Sequence, residues 1–179
     1  MARFSSWGLA VAIAAVALTP VMWAQADTVQ GTATVGTTKV TLTSGMAVSY
    51  TAPNGRLISV VLSDKPVDRQ AFAADTKTGA GEPLVAGLFE GAWKSQHLGK
   101  TLSGFTFSIG AKANIISEEF LVGGRNNTFS LGGDEYVVLV KSTSPRLVGR
   151  IRTKTPTVDA GGRKAGLDAT FDLAVAPRQ

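Results

Sequence analysis

Leu167-Asp168-Ala169-Thr170-Phe171-Asp172-Leu173-Ala174-Val175 reads as a strand more clearly than any other part of the chain. Leu167, Ala169, Phe171, Leu173 and Val175 alternate with Asp168, Thr170 and Asp172, and a period of two puts the first set on one face and the second on the other. The pattern recurs near the other end. Val29, Gly31, Ala33 and Val35 alternate with Gln30, Thr32 and Thr34, and after a turn at 36–38 the even positions carry Val40, Leu42, Met46, Val48 and Tyr50. Pro53-Asn54-Gly55 is a turn signal, since proline presets φ while asparagine and glycine tolerate positive φ. Ile58, Val60 and Leu62 follow. These three runs predict an antiparallel meander.

The middle of the chain changes period. Pro66 ends the third run, and 68–74 predicts a short helix with Asp68 as its N-cap. Over 82–96, Leu84, Val85, Leu88, Phe89 and Trp93 share one helical face, and Pro83 suits the first turn. Strand patterning resumes over 102–109, with Phe105, Phe107 and Ile109 facing one way, and continues at 114–122, 135–140 and 147–153. The expected fold is mainly β: an antiparallel β-sandwich or barrel of about eight strands, with a short helical insertion near 68–96.

Residues 1–26 have a different character. Arg3 gives a positive start, residues 9–21 are apolar apart from Thr19 and Pro20, and Ala24-Gln25-Ala26 puts small residues where an export peptidase inspects them. This predicts a cleaved secretory signal peptide, the alternative being an uncleaved N-terminal anchor. The apolar run is shorter than the ~20 residues of a membrane-spanning helix, and no later segment is apolar enough to span a bilayer. What remains, 27–179, is the size of one domain. It contains no cysteine, so it has no disulfide framework, thiolate metal site, cysteine nucleophile or lipid-bearing cysteine at the cleavage point. The expected location is the periplasm or the medium.

Val60-Val61-Leu62-Ser63-Asp64-Lys65-Pro66-Val67, Leu167-Asp168-Ala169-Thr170-Phe171-Asp172-Leu173 and the strand pair over 31–43 together resemble a loose group of uncharacterised bacterial secreted mainly-β proteins. The resemblance implies export in a bacterium. It carries no activity and transfers no site residue.

Catalytic chemistry finds little support. His97 is the only histidine, at the end of the expected helix, where the macrodipole favours it without any catalytic role. Glu118-Glu119 and Asp134-Glu135 are adjacent acids, but neighbours on a strand point to opposite faces, so neither dipeptide is a hydrolytic pair by itself. Gly123-Gly124-Arg125-Asn126-Asn127 and Gly132-Gly133-Asp134 lack phosphate-loop spacing and read as turns or bulges. No Gly-x-Ser-x-Gly elbow occurs. No cofactor or metal motif is present.

Charge is the sharper signal. The chain carries a formal +5, and residues 141–179 hold eight Lys/Arg against three acids, so the excess lies in the last quarter. Arg146, Arg150, Arg152 and Lys154 occupy even positions opposite Leu147, Ile151 and Thr153. On a strand they would share one face and span about 26 Å, with Lys141, Arg163 and Lys164 nearby. Such a face suits an anionic cell-surface polymer or lipid headgroup. The absence of interleaved aromatics argues against nucleic acid. If 147–155 and 165–175 pair as a hairpin about residue 160, Arg152 lies opposite Asp168 and Arg150 near Asp172, and these pairs would neutralise part of the stripe.

The expected role is therefore an exported, non-catalytic binding or structural module. One alternative is a carrier holding a small apolar ligand among Phe105, Phe107, Phe171 and Met46 in a barrel interior. Another is a hydrolase built on His97 with Glu118 or Glu119.

Overall fold

A computed structural model describes residues 25–52, 55–67, 102–110, 112–122, 128–158 and 162–177. Residues 1–24 of the expected signal peptide, the turn residues Pro53 and Asn54, the expected helical insertion with Trp93 and His97, and the Gly123–Asn127 stretch lie outside them.

The described residues form a mainly β fold of eleven strands: β1 (Thr28–Val35), β2 (Thr38–Leu42), β3 (Ser44–Ala52), β4 (Gly55–Ser63), β5 (Gly104–Ile109), β6 (Ile115–Leu121), β7 (Thr128–Phe129), β8 (Tyr136–Thr143), β9 (Arg146–Thr153), β10 (Thr157–Val158) and β11 (Lys164–Pro177). Two of them, β7 and β10, are two-residue pairings that have no alternation to read. A single 3-10 turn, Gly133–Glu135, leads into β8.

Pairing divides the strands into two layers. In sheet A, β2 pairs with β1, β1 with β11, β11 with β9 and β9 with β8, all antiparallel, and β10 pairs with the start of β11. In sheet B, β3, β4, β5, β6 and β7 pair in sequence order, also antiparallel. The inward faces meet in one core. Val29, Ala33, Leu42, Leu147, Ile151, Leu167, Phe171 and Leu173 from sheet A pack with Val60, Leu62, Phe105, Phe107, Ile109 and Phe120 from sheet B. Phe107 and Phe171 meet across the layers with ring centroids 5.9 Å apart.

Two features depart from a simple meander. The even-numbered run from Val40 to Tyr50 is not one strand, because the chain leaves sheet A at Thr43 and enters sheet B. Leu42 packs in the shared core, whereas Met46 pairs with Val61 on the outer face of sheet B. A crossing between layers can turn the chain over without breaking the sequence period. The pairing is also not purely antiparallel. At fourteen residues, β11 outruns β1, whose register ends at Thr28 opposite Asp172. The vacant edge takes β3 in parallel, with Val175 opposite Ala47 and Pro177 opposite Ser49. Strand β11 therefore belongs to both sheets.

Candidate functional site

The outer face of sheet A is polar, and its registers place residues in rows across the strands. One row runs Val137, Arg152, Asp168, Thr32 and Thr41, and the next runs Leu139, Arg150, Thr170 and Gln30. Along β9, Leu147 and Ile151 are buried while Arg150 and Arg152 are exposed, as period two requires. Arg152 lies opposite Asp168, the register expected from the sequence.

The ion pairs are distributed differently. Arg150 reaches diagonally to Asp168, with Nε donating at 2.8 Å and Nη2 at 2.6 Å to its two carboxylate oxygens. This fork lowers the Asp168 pKa, the hydrogen bond being the main cause, and raises that of Arg150 for the same reason. Both side chains remain about half exposed, so the pair is screened by water.

Arg146 has another role. Its Nε donates to Asp172 Oδ1 at 2.5 Å and its Nη2 to the Asp172 carbonyl at 2.9 Å. Nη1 donates to the Gln25 carbonyl at 2.9 Å, and Nη2 also approaches the Ala26 carbonyl at 3.2 Å and Asp27 Oδ1 at 3.3 Å. Its guanidinium is committed to the chain itself.

Lys141, Arg152, Lys154 and Lys164 are exposed, and among the described residues none of them forms an ion pair. An open groove of about 470 Å³ is lined by Thr28, Gln30, Leu139, Lys141, Val148 and Arg150, with Thr170 and Asp172 along β11, whereas Lys154 lines a separate pocket with Asp134, Tyr136 and Val138. Leu139 is 59% exposed, an apolar contact at the groove wall. Gly149 lies beneath it. A Cβ there would come within 2.6 Å of the Leu139 carbonyl and 3.1 Å of the Phe171 ring, so only glycine lets that ring lie against the β9 backbone.

The other chemistry-bearing cluster is structural. Glu118 is 7% exposed and turns inward from β6. Its Oε1 accepts from the Ser130 hydroxyl, from Leu131 N at 2.8 Å and from Gly132 N at 2.8 Å. Its Oε2 accepts from the Tyr136 hydroxyl at 2.9 Å. Burial first, then the adjacent carboxylate, pushes the Tyr136 phenol well above its ordinary range. With four donors, the carboxylate fastens the 130–132 loop and β8 to sheet B. Nothing in the sequence linked Glu118 to Ser130 or Tyr136.

The residues weighed for a carrier do not line one cavity. Phe105 packs on Phe107 with centroids 5.6 Å apart, Phe107 packs on Phe171, and Met46 sits on the opposite face of sheet B. Among the described residues no group of three or more His, Asp or Glu could hold a metal ion, and no helix is long and apolar enough to cross a membrane. No family model matches the chain, and neither a curated protein nor a solved structure matches it.

Proposed function

We propose that this chain is an exported binding module that holds an extended anionic polymer along the outer face of sheet A. The groove lined by the unpaired Lys141 beside the Arg150–Asp168 fork, with Arg152 exposed further along the same face of β9, carries the reading. Lys141 stands toward one end of the β8–β9 pair, while Arg152, opposite Val137, stands toward the other. Lys141 and Val137 are four residues apart on β8, about 13 Å of strand. A compact headgroup would touch one end only, whereas a polymer with repeated negative charges would meet both. Thr28, Gln30 and Thr170 offer side chains that both donate and accept hydrogen bonds, which suits hydroxyl-rich units. Of the four cations expected to bind, Arg150 and Arg146 serve the protein's own acids and Lys154 lines a separate pocket, so the site moves to Lys141, beside Arg150 in the groove, and to Arg152.

The test uses immobilised alginate, a polyuronate, at low ionic strength. The full chain should be retained and should elute earlier as salt rises. Replacing Lys141 and Arg152 together by Glu should abolish retention while leaving the circular dichroism spectrum unchanged. Retention of the folded double variant would overturn the reading.

A further inference from the structure

The segment just before β1 is tied into the fold more heavily than a chain end needs to be. Arg146 is anchored by Asp172 through two hydrogen bonds and holds the carbonyl oxygens of Gln25 and Ala26. The Gln25 side chain adds a third tie, its Nε2 donating to Asp172 Oδ2 at 2.8 Å. Asp27 sits where β11 passes from β1 to β3, and its Oδ1 accepts the Ala174 backbone N–H at 2.7 Å. That N–H lies between the last β1 pairing, at Asp172, and the first β3 pairing, at Val175. The Asp27 carboxylate thus fills the gap in β11's hydrogen bonding where the two sheets join.

The peptide bond between Ala26 and Asp27 lies in the middle of this arrangement. We infer that Ala26–Asp27 is a processing site open only before the domain folds, and that the Arg146 clamp closes it. This rests on the export reading of the leader. An endopeptidase must take residues on both sides of the scissile bond in extended form and polarise the Ala26 carbonyl, the oxygen Arg146 occupies. Hydrolysis adds one water across that amide, leaving a carboxylate on Ala26 and an α-amino group on Asp27. In the folded chain this requires Arg146 to release both carbonyls and Asp27 to release Ala174. The order of events then decides the product. Cutting before folding frees the domain, whereas folding first leaves it joined to its apolar leader. Arg146 and Asp172 remain together after the cut, so the junction between the sheets keeps its main ion pair.

The experiment compares three substrates for purified bacterial signal peptidase in detergent micelles, with mass spectrometry reading a product that begins at Asp27. They are the folded full chain, its Arg146→Lys variant and a synthetic peptide of residues 10–34. The peptide should be cut. The folded chain should be cut more than about tenfold more slowly, because cleavage must wait for local opening. Arg146→Lys keeps a charge for Asp172 but cannot fork to the two carbonyls, and should move the rate toward that of the peptide. A Gln25→Ala variant, which loses only the side-chain tie, should shift the rate the same way to a smaller extent and covers the case in which Arg146→Lys does not fold. A peptide cut at Ala26 together with an equally fast folded chain would overturn the clamp and leave export standing. A peptide left intact would overturn both.

Discussion

Along β9 and β11, buried and exposed residues alternate, whereas on β4 seven consecutive residues from Leu57 to Ser63 are buried, and on β5 all six are. Sheet A thus has one wet face and sheet B has none over these two strands. The contrast extends to the kind of polar group each surface carries. Sheet A displays Arg150, Arg152, Asp168 and Gln30 to solvent, while on the outer face of sheet B Ser59 and Ser108 share a buried hydrogen bond at 2.9 Å. Nearby, the Thr106 hydroxyl is buried with no partner among the described residues. A solvated face can be spent on recognition, because its charges need no partner inside the protein. On a face buried on both sides a polar group without a partner costs stability, so substitutions there act on stability.

The largest expected effect breaks this comparison directly. Val61→Asp places a carboxylate on the buried outer face of sheet B and should destabilise the fold by about 3 kcal/mol or more, the consequence of burying an unpartnered charge. Leu139→Asp, at an exposed position on sheet A, should shift stability by no more than about 0.5 kcal/mol. Urea unfolding of the two variants measures both. Equal costs would mean that the two outer faces do not differ as described.

A smaller effect tests the bond that crosses between the layers. Tyr136 on β8 donates to Glu118 on β6, and Tyr136→Phe should cost about 1.5–3 kcal/mol, the usual worth of a hydrogen bond to a charged group. The pH dependence has a definite sign. Because the folded protein raises this phenol above its ordinary value near 10, the contribution is fully present below pH 10 and is lost as pH rises beyond it. Wild type should therefore lose stability more steeply than Tyr136→Phe above about pH 10. Parallel alkaline profiles would show that the phenol is not held by Glu118.

The smallest effect belongs to the exposed fork between Arg150 and Asp168. Its carboxyl is held below its ordinary value, so the stabilisation is present above the unfolded carboxylate pKa and fades as pH falls through the lower folded one. Comparing wild type with Asp168→Asn between pH 6 and pH 3 should show a difference at the edge of detection, since both partners are open to water. A large difference would mean that this end of β9 is as structural as the Arg146 end.

The same contrast explains what could be read in advance. On sheet A the strands announce themselves, and Arg152 lies opposite Asp168 as the sequence implied, because one wet face imposes alternation. Sheet B was legible as strands but not as a doubly buried layer, since Ser59, Ser63, Thr106 and Ser108 look solvent-facing in a list of residues. The cation stripe was legible as a stripe. Its division into Arg146, tied to the chain, Arg150, paired with Asp168, and Arg152 and Lys154, which form no ion pair among the described residues, was not. That division depends on β1 lying beside β11, and no local pattern reports which strand neighbours which.

By itself, the sequence determined the β character, the inward and outward sets along each strand and the concentration of positive charge in the last quarter, because these follow from side-chain period and composition. The tertiary structure alone decided that the chain changes layer at Thr43, that β11 serves both sheets, and that Arg146 closes over Gln25 and Ala26. The last two rest on contacts between residues more than a hundred positions apart, and such pairings arise only when the two layers close on a common core.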